Sequence, residues 1–241
     1  MTIANFKIKV AAYANRDPSS FVVSGFDILL DAINDAHREC QQRVNFARAF
    51  KGGFIQTNAF GVALSGAVTN PAGSGTAIAF KNVVSAWSYV TYGTSYAKFK
   101  QYDFINEVDL KNILPMDDEY PNGWPIVQAP TTVEQQTLKR RVYVQTGTNK
   151  IFLTGVQDLT WIWLDGYQMM PDYDAVTVTT DFILDNYHSW LLWATLQKIN
   201  GYLKEDQRVV ISQRALEQAW DVVMQDDMGQ RELYTNNNAL N

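Results

Sequence analysis

The sequence predicts an α+β fold: a helical bundle from an N-terminal helix and a C-terminal helical hairpin, with an inserted antiparallel β domain. Near both ends of the 241-residue chain, apolar residues recur every three or four positions, as in amphipathic helices. Between those ends, the chain is rich in glycine, proline and short alternating runs, which are typical of strands and turns. The predicted divisions are 1–50 for the first segment and bundle helix, 51–175 for the β domain, 176–228 for the hairpin and 229–241 for a flexible tail.

Composition restricts the possible classes of protein. Hydrophobic residues make up 46% and aromatic residues 13%, whereas charged residues reach only 19%, below the usual share of about 25%. The net charge of −5 argues against affinity for phosphates, because such binding needs clustered Lys and Arg. The single Cys40 cannot form an internal disulfide, which fits folding in a reducing cytoplasm. No apolar run approaches the ~20 residues of a membrane-spanning helix, so no membrane partner is expected.

The first predicted helix follows the turn residues 17–20. Ser24 is its predicted N-cap, since Asp27 stands three positions later in a relative of the capping box. An apolar stripe then runs from Phe26 to Ala47, and it includes Cys40. Cys40 is therefore predicted to be a small buried hydrophobic residue and not a nucleophile. Residues 1–13 alternate polar and apolar side chains, and no helix is predicted there.

The predicted β domain begins with a glycine-rich stretch at 51–75, interpreted as loop or as strands with long turns. Alternation and aromatic content predict strands at 76–80, 87–92 and 96–102, and residues 106–113 have room for a helical turn. Four of the seven prolines lie within 114–130, which predicts an exposed, ordered loop.

Two further features complete the predicted β domain. Residues 142–145 and 151–153 flank the turn sequence 146–149, which is a hairpin signal. Residues 159–164 are apolar at successive positions, so this strand is expected to be buried on both faces and central in the sheet.

The C-terminal hairpin is predicted from two apolar series separated by a polar turn. Thr179 and Thr180 are the predicted caps of a helix that starts near Asp181. Gly201 weakens the end of that helix, and the charged run 204–206 separates it from a second helix. The product is an antiparallel helical hairpin.

The most apolar part of the hairpin allows two interpretations. Residues 190–196 include two indoles three positions apart, and a wide apolar helix face of this kind usually belongs to a protein core. The alternative is a subunit contact, because Trp is enriched at the centres of interfaces. The candidate interface residues are Trp190, Trp193 and Leu196.

The last twelve residues, 230–241, have the composition of a segment that is disordered alone. They still contain residues suited to anchor the segment to a partner, so ordering on binding is a hypothesis beside a frayed terminus without a role. These candidate anchors are Arg231, Leu233, Tyr234 and Leu240.

The sequence lacks the catalytic and ligand-binding motifs that would indicate an enzyme. The glycine-rich run 73–76 lacks the Lys of a phosphate-binding loop. His37 and His188 lie on separate predicted helices without the spacing of a zinc site, and the chain has no Gly-x-Ser-x-Gly motif. No catalytic residue, cofactor or metal is therefore expected.

One alternative function remains open on composition. Glycoside hydrolysis needs two carboxyl groups across a sugar, and neighbouring aromatic rings stack on sugars, so acidic aromatic loops suit a carbohydrate-binding or carbohydrate-cleaving module. Solvated turn carboxylates are the competing interpretation. The candidate loop residues are Asp117, Asp118, Glu119, Tyr120, Trp124, Asp172, Tyr173 and Asp174.

The order of elements resembles that of the head-to-tail adaptor (connector) proteins of tailed bacteriophages. The matching features are the proline-bounded loop, the paired strands at 141–153, the strand at 159–164 and Pro171, followed by the long hairpin. Within the hairpin, Asn186, Tyr187, His188 and the segment 194–219 look like the final helix pair of that family. The resemblance covers roughly residues 25–227, and the glycine-rich segment 52–75 departs from it.

This resemblance implies a structural role without catalysis. A protein of this family forms a homo-oligomeric ring, twelve copies by analogy, that binds the portal protein and joins capsid to tail. Terminal segments in the family commonly dock on neighbouring subunits or the portal, which suits the anchors at 231–240. The implied partners are the portal, tail or neck proteins, and DNA that passes without tight binding. The implied location is the virion neck, after assembly in the host cytoplasm.

Overall fold

The computed structural model describes residues 1–56, 62–63, 67–69, 77–92, 95–104, 142–146, 150–153, 161–174, 176–203 and 206–238. The fold is α+β, as predicted. The chain divides into two compact units: unit 1 contains Met1–Arg48 and Met170–Asn241, and unit 2 contains Ala49–Met169. Among the described residues, none of the helices has both the length and the apolar character needed to cross a membrane.

Unit 1 consists of helices and one very short hairpin in the part that the structure describes. Helix α4 packs against both α2 and α5. The elements are α1 (Ile3–Tyr13), a 3-10 turn (Pro18–Phe21), β1 (Val22–Val23), β2 (Phe26–Asp27), α2 (Ile28–Arg43), a 3-10 turn that begins at Ala47, α3 (Phe182–Asn186), α4 (His188–Tyr202) and α5 (Asp206–Asn238).

Helix α1 was not predicted. Its buried residues Ile3, Phe6, Val10 and Ala11 are spaced as one face of a helix. The Thr2 side chain accepts a hydrogen bond from the Asn5 amide at 3.4 Å, as an N-cap does. Residues 1–13 therefore have apolar side chains at helical spacing as well as the alternation noted in the sequence.

The N-cap of α2 is a different residue from the one that the sequence predicts. Asp27 accepts a hydrogen bond from the Leu30 amide at 2.9 Å and is the N-cap. Ser24, the predicted cap, has a φ of 51° and Gly25 a φ of 81°. These two residues form the tight turn between β1 and β2, for which positive φ angles are required. Cys40 is fully buried on α2, which confirms its predicted role as a core residue.

The first helix of the predicted hairpin is interrupted. Asp181, and not Thr179 or Thr180, caps α3 by accepting from the Leu184 amide at 2.9 Å. Helix α3 ends at Asn186, and α4 begins at His188. Between them, Tyr187 has φ −117° and ψ 24°, which is outside the helical region.

Helix α5 continues past the point where the sequence predicts disorder. Its backbone is helical to Asn238, whereas the sequence predicts a flexible tail from residue 229. Arg231 pairs with Asp227 one turn earlier at 2.8 Å and also donates to the carbonyl oxygen of Asn45. These two contacts tie the helix beyond Gln230 to the rest of unit 1.

Unit 2 is built on one sheet of eight strands among the described residues. The order is β10-β3-β5-β6-β7-β8-β9-β4, with an additional β10–β6 pairing, and all pairs are antiparallel except β7 with β8. The strands are β3 (Phe50–Gln56), β4 (Val62–Ala63), β5 (Ala67–Val68), β6 (Ala77–Tyr92), β7 (Ser95–Phe104), β8 (Val142–Thr146), β9 (Lys150–Leu153) and β10 (Trp161–Met169).

Strand β10 is central, as predicted for residues 159–164, because it pairs with β3 on one side and β6 on the other. Ile162 and Leu164 point into a core shared with Ile55, Phe80 and Ala86. The predicted hairpin is present as β8 paired with β9. The strands predicted at 76–80 and 87–92 form one strand of 16 residues, because the intervening residues also pair with β10.

Candidate functional site

The acidic loop that sequence analysis offered as a carbohydrate site is occupied by contacts within unit 1. Asp172 accepts a hydrogen bond from the Arg38 guanidinium at 2.9 Å. Tyr173 is buried and does not face solvent. Asp174 accepts from the amides of Val176 at 2.7 Å and Val178 at 3.0 Å, which defines a local turn.

These bonds stabilise the ionised form of the Asp174 carboxylate. The Thr177 side chain and the three amides of the turn lower the pKa of Asp174 far below its usual range. The described part of the loop is thus a folded connection and not an open acidic cleft. The remaining loop candidates, Asp117, Asp118, Glu119, Tyr120 and Trp124, lie outside the described residues.

A buried cluster of polar side chains centres on Asp181. Its carboxylate receives His37 Nε2 at 2.6 Å on one oxygen and the Tyr173 hydroxyl at 2.6 Å on the other. The His37 and Tyr173 rings also contact each other, with centroids 4.5 Å apart. His37 is fully buried, and the Asp181 side chain is 13% exposed. The cluster joins α2 to the residues that precede α3.

The neighbouring Gln41 determines which nitrogen of His37 carries the proton. Gln41 Oε1 accepts from the Met170 amide at 2.7 Å, so its Nε2 is the donor that lies 3.2 Å from His37 Nδ1. Since Nδ1 accepts, Nε2–H is the nitrogen that donates to Asp181. The role of His37 in this arrangement is to orient a buried carboxylate and to donate a hydrogen bond to it.

The pKa values of the two acids in this cluster shift in opposite directions. Burial would raise the pKa of Asp181, but hydrogen bonds from His37, Leu184 and Tyr173 outweigh burial and lower it. Burial and the Asp181 carboxylate strongly raise the pKa of Tyr173, which keeps its hydroxyl a donor. A phenol that donates and a carboxylate that accepts make a stable structural pair.

Two amide side chains of α2 hold the returning segment that leads from β10 back into unit 1. Asn34 accepts from the Tyr173 amide at 2.8 Å and donates to the Tyr173 carbonyl at 3.1 Å. Gln41 makes the same paired contact with Met170, donating to its carbonyl at 3.3 Å. The two amides thus replace the hydrogen bonds that a neighbouring strand supplies in a sheet.

A second network joins α5 to the segment that leaves α2. Asp227 is buried, accepts from the Ala47 amide at 2.8 Å, and pairs with Arg231. The Tyr187 hydroxyl donates to Asp226 at 2.7 Å, and Arg48 lies 3.6 Å from the same carboxylate. Burial and the bond to Asp226 raise the pKa of Tyr187. Within unit 1, the segment after α2 and the segment that begins at Met170 are therefore both bonded to helices.

Two of the three candidate interface residues belong to the interior of unit 1. Trp190 is fully buried and Leu196 nearly so. The Trp190 ring lies 5.4 Å from that of Trp220, and the Arg43 guanidinium lies 5.4 Å from the Trp220 centroid. Among the described residues, Trp190 Nε1 has no hydrogen-bond partner. For these residues, the burial favours the core interpretation over the subunit contact.

The third candidate, Trp193, is in a different position. It is only partly buried, and its ring meets that of Tyr13 edge-on at 5.9 Å. Tyr13 is 55% exposed. Near this pair, Arg208 at the start of α5 donates to the carbonyl oxygen of Ala14 at 3.2 Å. The Tyr13–Trp193 pair is thus an aromatic surface feature where α1 meets α4.

Of the candidate anchors of the tail, only Arg231 has a side chain within the described part of the structure. Arg231 is engaged within unit 1 by Asp227 and Asn45, so it is not available as an unengaged anchor. Leu233 and Tyr234 lie on the helical backbone of α5, but their side chains are outside the described part, as is the whole of Leu240.

Sequence analysis missed a cluster in unit 2 around Asp165. The Asp165 carboxylate is buried and accepts from Lys98 Nζ at 2.6 and 2.8 Å, from Ser85 at 2.8 Å and from Trp163 Nε1 at 2.7 Å. Trp87 Nε1 donates in turn to Ser85 at 2.8 Å. Lys98 Nζ lies 5.6 Å from the Trp87 ring and 5.5 Å from the Trp163 ring.

Aromatic rings extend this cluster along the same face of the sheet. Phe54 is buried beneath Tyr89, Tyr96 and Trp163, with centroid distances of 4.6–5.0 Å in near-perpendicular arrangements. Tyr89 and Tyr96 contact each other at 5.6 Å. The signal that could have revealed the cluster is an acidic residue, Asp165, directly after an apolar strand segment, where a buried charge requires a partner.

Neither unit contains a metal centre in the part that the structure describes. No group of three or more His, Cys, Asp or Glu side chains among those residues is placed to hold an ion. Comparison with known proteins does not add a functional assignment, since no family model and no curated protein matches the sequence.

Proposed function

We propose that this protein is a head-to-tail adaptor of a tailed bacteriophage, a structural component without catalytic activity. In this proposal, copies of the chain form a ring under the portal protein, twelve by analogy with the family, and connect the capsid to tail or neck proteins. The order of elements described above supports it, as does a two-unit chain in which helical ends flank an inserted β unit.

The Tyr13–Trp193 pair carries this proposal. A large aromatic side chain that is left partly exposed beside a second exposed ring is typical of an interaction site. Other large apolar side chains of unit 1 are also exposed; they include Ile8, Val210 and Ile211. The polar clusters, in contrast, are buried and engaged within the chain, so they support structure and not chemistry.

We further infer that α1, α2, α4 and α5 close into a helical bundle that presents this apolar surface to a neighbouring copy. The fully buried Trp190 and Leu191 belong to the core of the bundle, and Trp193 belongs to its outer face. The net charge of −5 suits a ring through which DNA passes without tight binding, because an acidic surface repels phosphates.

Substituting Trp193 by Asp tests the proposal. We expect Trp193→Asp to abolish ring formation, with or without the portal protein, while far-UV circular dichroism stays close to that of the wild type. The physical reason is that a carboxylate at the centre of an apolar contact has to lose its hydration without a partner. Native mass spectrometry and sedimentation velocity measure the oligomeric state.

Val176→Asp is the matched control, because Val176 is 84% exposed and the change adds the same charge. This control should assemble normally. An assembled Trp193→Asp ring would overturn the interface assignment, as would unfolding of the variant, which would place Trp193 in the core of the protomer. A wild-type protein that neither forms a ring nor binds the portal would overturn the adaptor proposal.

A further inference from the structure

We propose that the aromatic face of unit 2 binds a neutral carbohydrate. This aromatic face consists of Trp87, Tyr89, Tyr96, Lys98 and Trp163, which lie on three strands of one sheet. Trp163 stands directly opposite Trp87 in the pairing of β10 with β6, and Tyr89 stands opposite Lys98 in the pairing of β6 with β7. The rings therefore lie close together on one face of the sheet, and each is partly buried.

The rings are held in place before any ligand arrives. The Trp87 and Trp163 indole nitrogens both donate inward, to Ser85 and to Asp165. Trp163 also packs on Gly52, where an added Cβ would lie 2.3 Å from its ring. These contacts fix the orientation of the Trp163 ring, and Trp87 and the two tyrosines lie beside it on the same face. Fixed rings lose little conformational entropy on binding, which favours recognition.

The charge of the face selects the class of ligand. Lys98 and the buried Asp165 neutralise each other at 2.6 Å, and the whole chain is acidic, so the described groups of this face carry no net positive charge that would attract a polyanion. Lys98 is still 41% exposed, which leaves its ammonium group access to a ligand hydroxyl. Burial and the adjacent Tyr96 raise the pKa of Tyr89, so its hydroxyl remains a donor.

A sugar matches these groups better than a purely apolar ligand does. Its C–H faces pack on the electron-rich faces of aromatic rings, while its hydroxyls need donors and acceptors at the rim. The Tyr89 hydroxyl and the Lys98 ammonium supply such groups. Cleavage is not part of the proposal, because glycoside hydrolysis uses two carboxyl groups and Asp165 is already bonded to Lys98, Ser85 and Trp163.

Titration of the full chain with neutral hexasaccharides tests this site. The probes are cellohexaose, maltohexaose and chitohexaose, followed by isothermal titration calorimetry and by tryptophan fluorescence. We expect one of them to bind and Trp87→Ala to weaken that binding about tenfold, as the loss of one stacking ring does. Tyr89→Phe keeps its ring and should have a smaller effect. Phe104→Ala removes an exposed ring at the end of β7 and should leave affinity unchanged.

Three results would overturn the proposal. The first is that the folded wild type binds none of the neutral probes. The second is that Trp87→Ala, with unchanged circular dichroism, binds as tightly as the wild type. The third is that a heparin hexasaccharide or a short DNA duplex binds in preference to the neutral sugars. None of these results bears on ring assembly through Trp193, which native mass spectrometry reports separately.

Discussion

At the scale of single residues, Asp181 shows how one carboxylate can serve several elements at once. It caps α3 through the Leu184 amide and accepts from Tyr173 and from His37. A charge this far removed from water is stabilising only when hydrogen bonds compensate for its lost hydration. Leu184 and Tyr173 on one oxygen and His37 on the other supply that compensation, so the cluster stabilises the native contact between α2 and the returning segment.

Replacing this carboxylate should reveal a pH-dependent contribution to stability. Asp181→Asn places an amide among three donors, and we expect it to lower the free energy of unfolding by about 2–4 kcal/mol near pH 7. The folded-state pKa of Asp181 is lowered, so its contribution is present above the unfolded value of about 3.8 and is lost as the pH falls through the folded pKa. The difference between wild type and variant should therefore shrink toward pH 3.

Urea denaturation at several pH values measures this difference. Asp172→Asn is the control, since Asp172 pairs with Arg38 on the surface and should cost less than about 1 kcal/mol. A gap between wild type and Asp181→Asn that stays constant from neutral to acidic pH would contradict the role given to the ionised carboxylate.

At the scale of elements, local patterns predicted much of the secondary structure. The amphipathic stripe of α2 and the hairpin signal of β8 and β9 depend on neighbouring residues, and the helix and the strand pairing are both present. Helix α1 was missed because its eleven residues fit both the period of a strand and the period of a helix. Burial against the rest of unit 1 determines that they form a helix. Strand β6 was divided in two because its middle residues are stabilised by β10 and not by local preference.

The candidate sites were harder to predict because their residues are distant in sequence. Lys98 and Asp165 are 67 positions apart, and His37 and Asp181 are 144 apart. No local period links such pairs, so neither the aromatic face nor the Asp181 cluster could be assembled from the sequence alone. Trp190 and Trp193 differ in burial although they are three positions apart, because only packing determines which edge of the apolar face is covered.

Two glycines with opposite surroundings provide a test of element stability. Gly229 lies within α5, and an added Cβ there would meet open space. Gly229→Ala should raise the free energy of unfolding by about 0.5–1 kcal/mol, because alanine restricts the unfolded chain and favours the helix. Gly166 is its counterpart in β10, where a Cβ would lie 2.3 Å from the Asn82 carbonyl oxygen.

Gly166→Ala should instead cost about 1–3 kcal/mol or more, because the paired strand β6 has to move. Chemical denaturation followed by circular dichroism measures both variants against the wild type. Equal effects of the two substitutions would show that backbone preference alone, and not the space around each glycine, controls their contribution.

At the scale of the whole molecule, two helices of unit 1 hold the two segments of that same unit at which the chain leaves it and returns to it. Helix α5 bonds the outgoing segment through Asp227 and Arg231, and α2 bonds the returning segment through Asn34 and Gln41. The two helices are separated by most of the sequence. The end of the chain is therefore part of the structural framework as far as Arg231, and only the residues beyond it remain candidates for a separate partner-binding role.

Two truncations that differ by three residues distinguish these roles. Ending the chain after Met228 removes Arg231 and leaves the buried Asp227 with the Ala47 amide but without its cation. We expect this truncation to lower the free energy of unfolding by about 2–4 kcal/mol, because a buried charge loses its partner. Ending the chain after Arg231 keeps both contacts, so its melting behaviour should match that of the full chain.

The longer truncation then isolates the proposed role of Leu233, Tyr234 and Leu240 in attachment to the portal. We expect the chain that ends at Arg231 to fold normally but to bind the portal more weakly, and Tyr234→Ala in the full chain to reproduce part of that loss. Pull-down with portal protein, alongside thermal melting of each variant, measures both properties. Equal portal attachment by the full chain and the chain ending at Arg231 would rule out the anchoring role. Equal stability of the two truncations would show that the Arg231 contacts do not hold the outgoing segment.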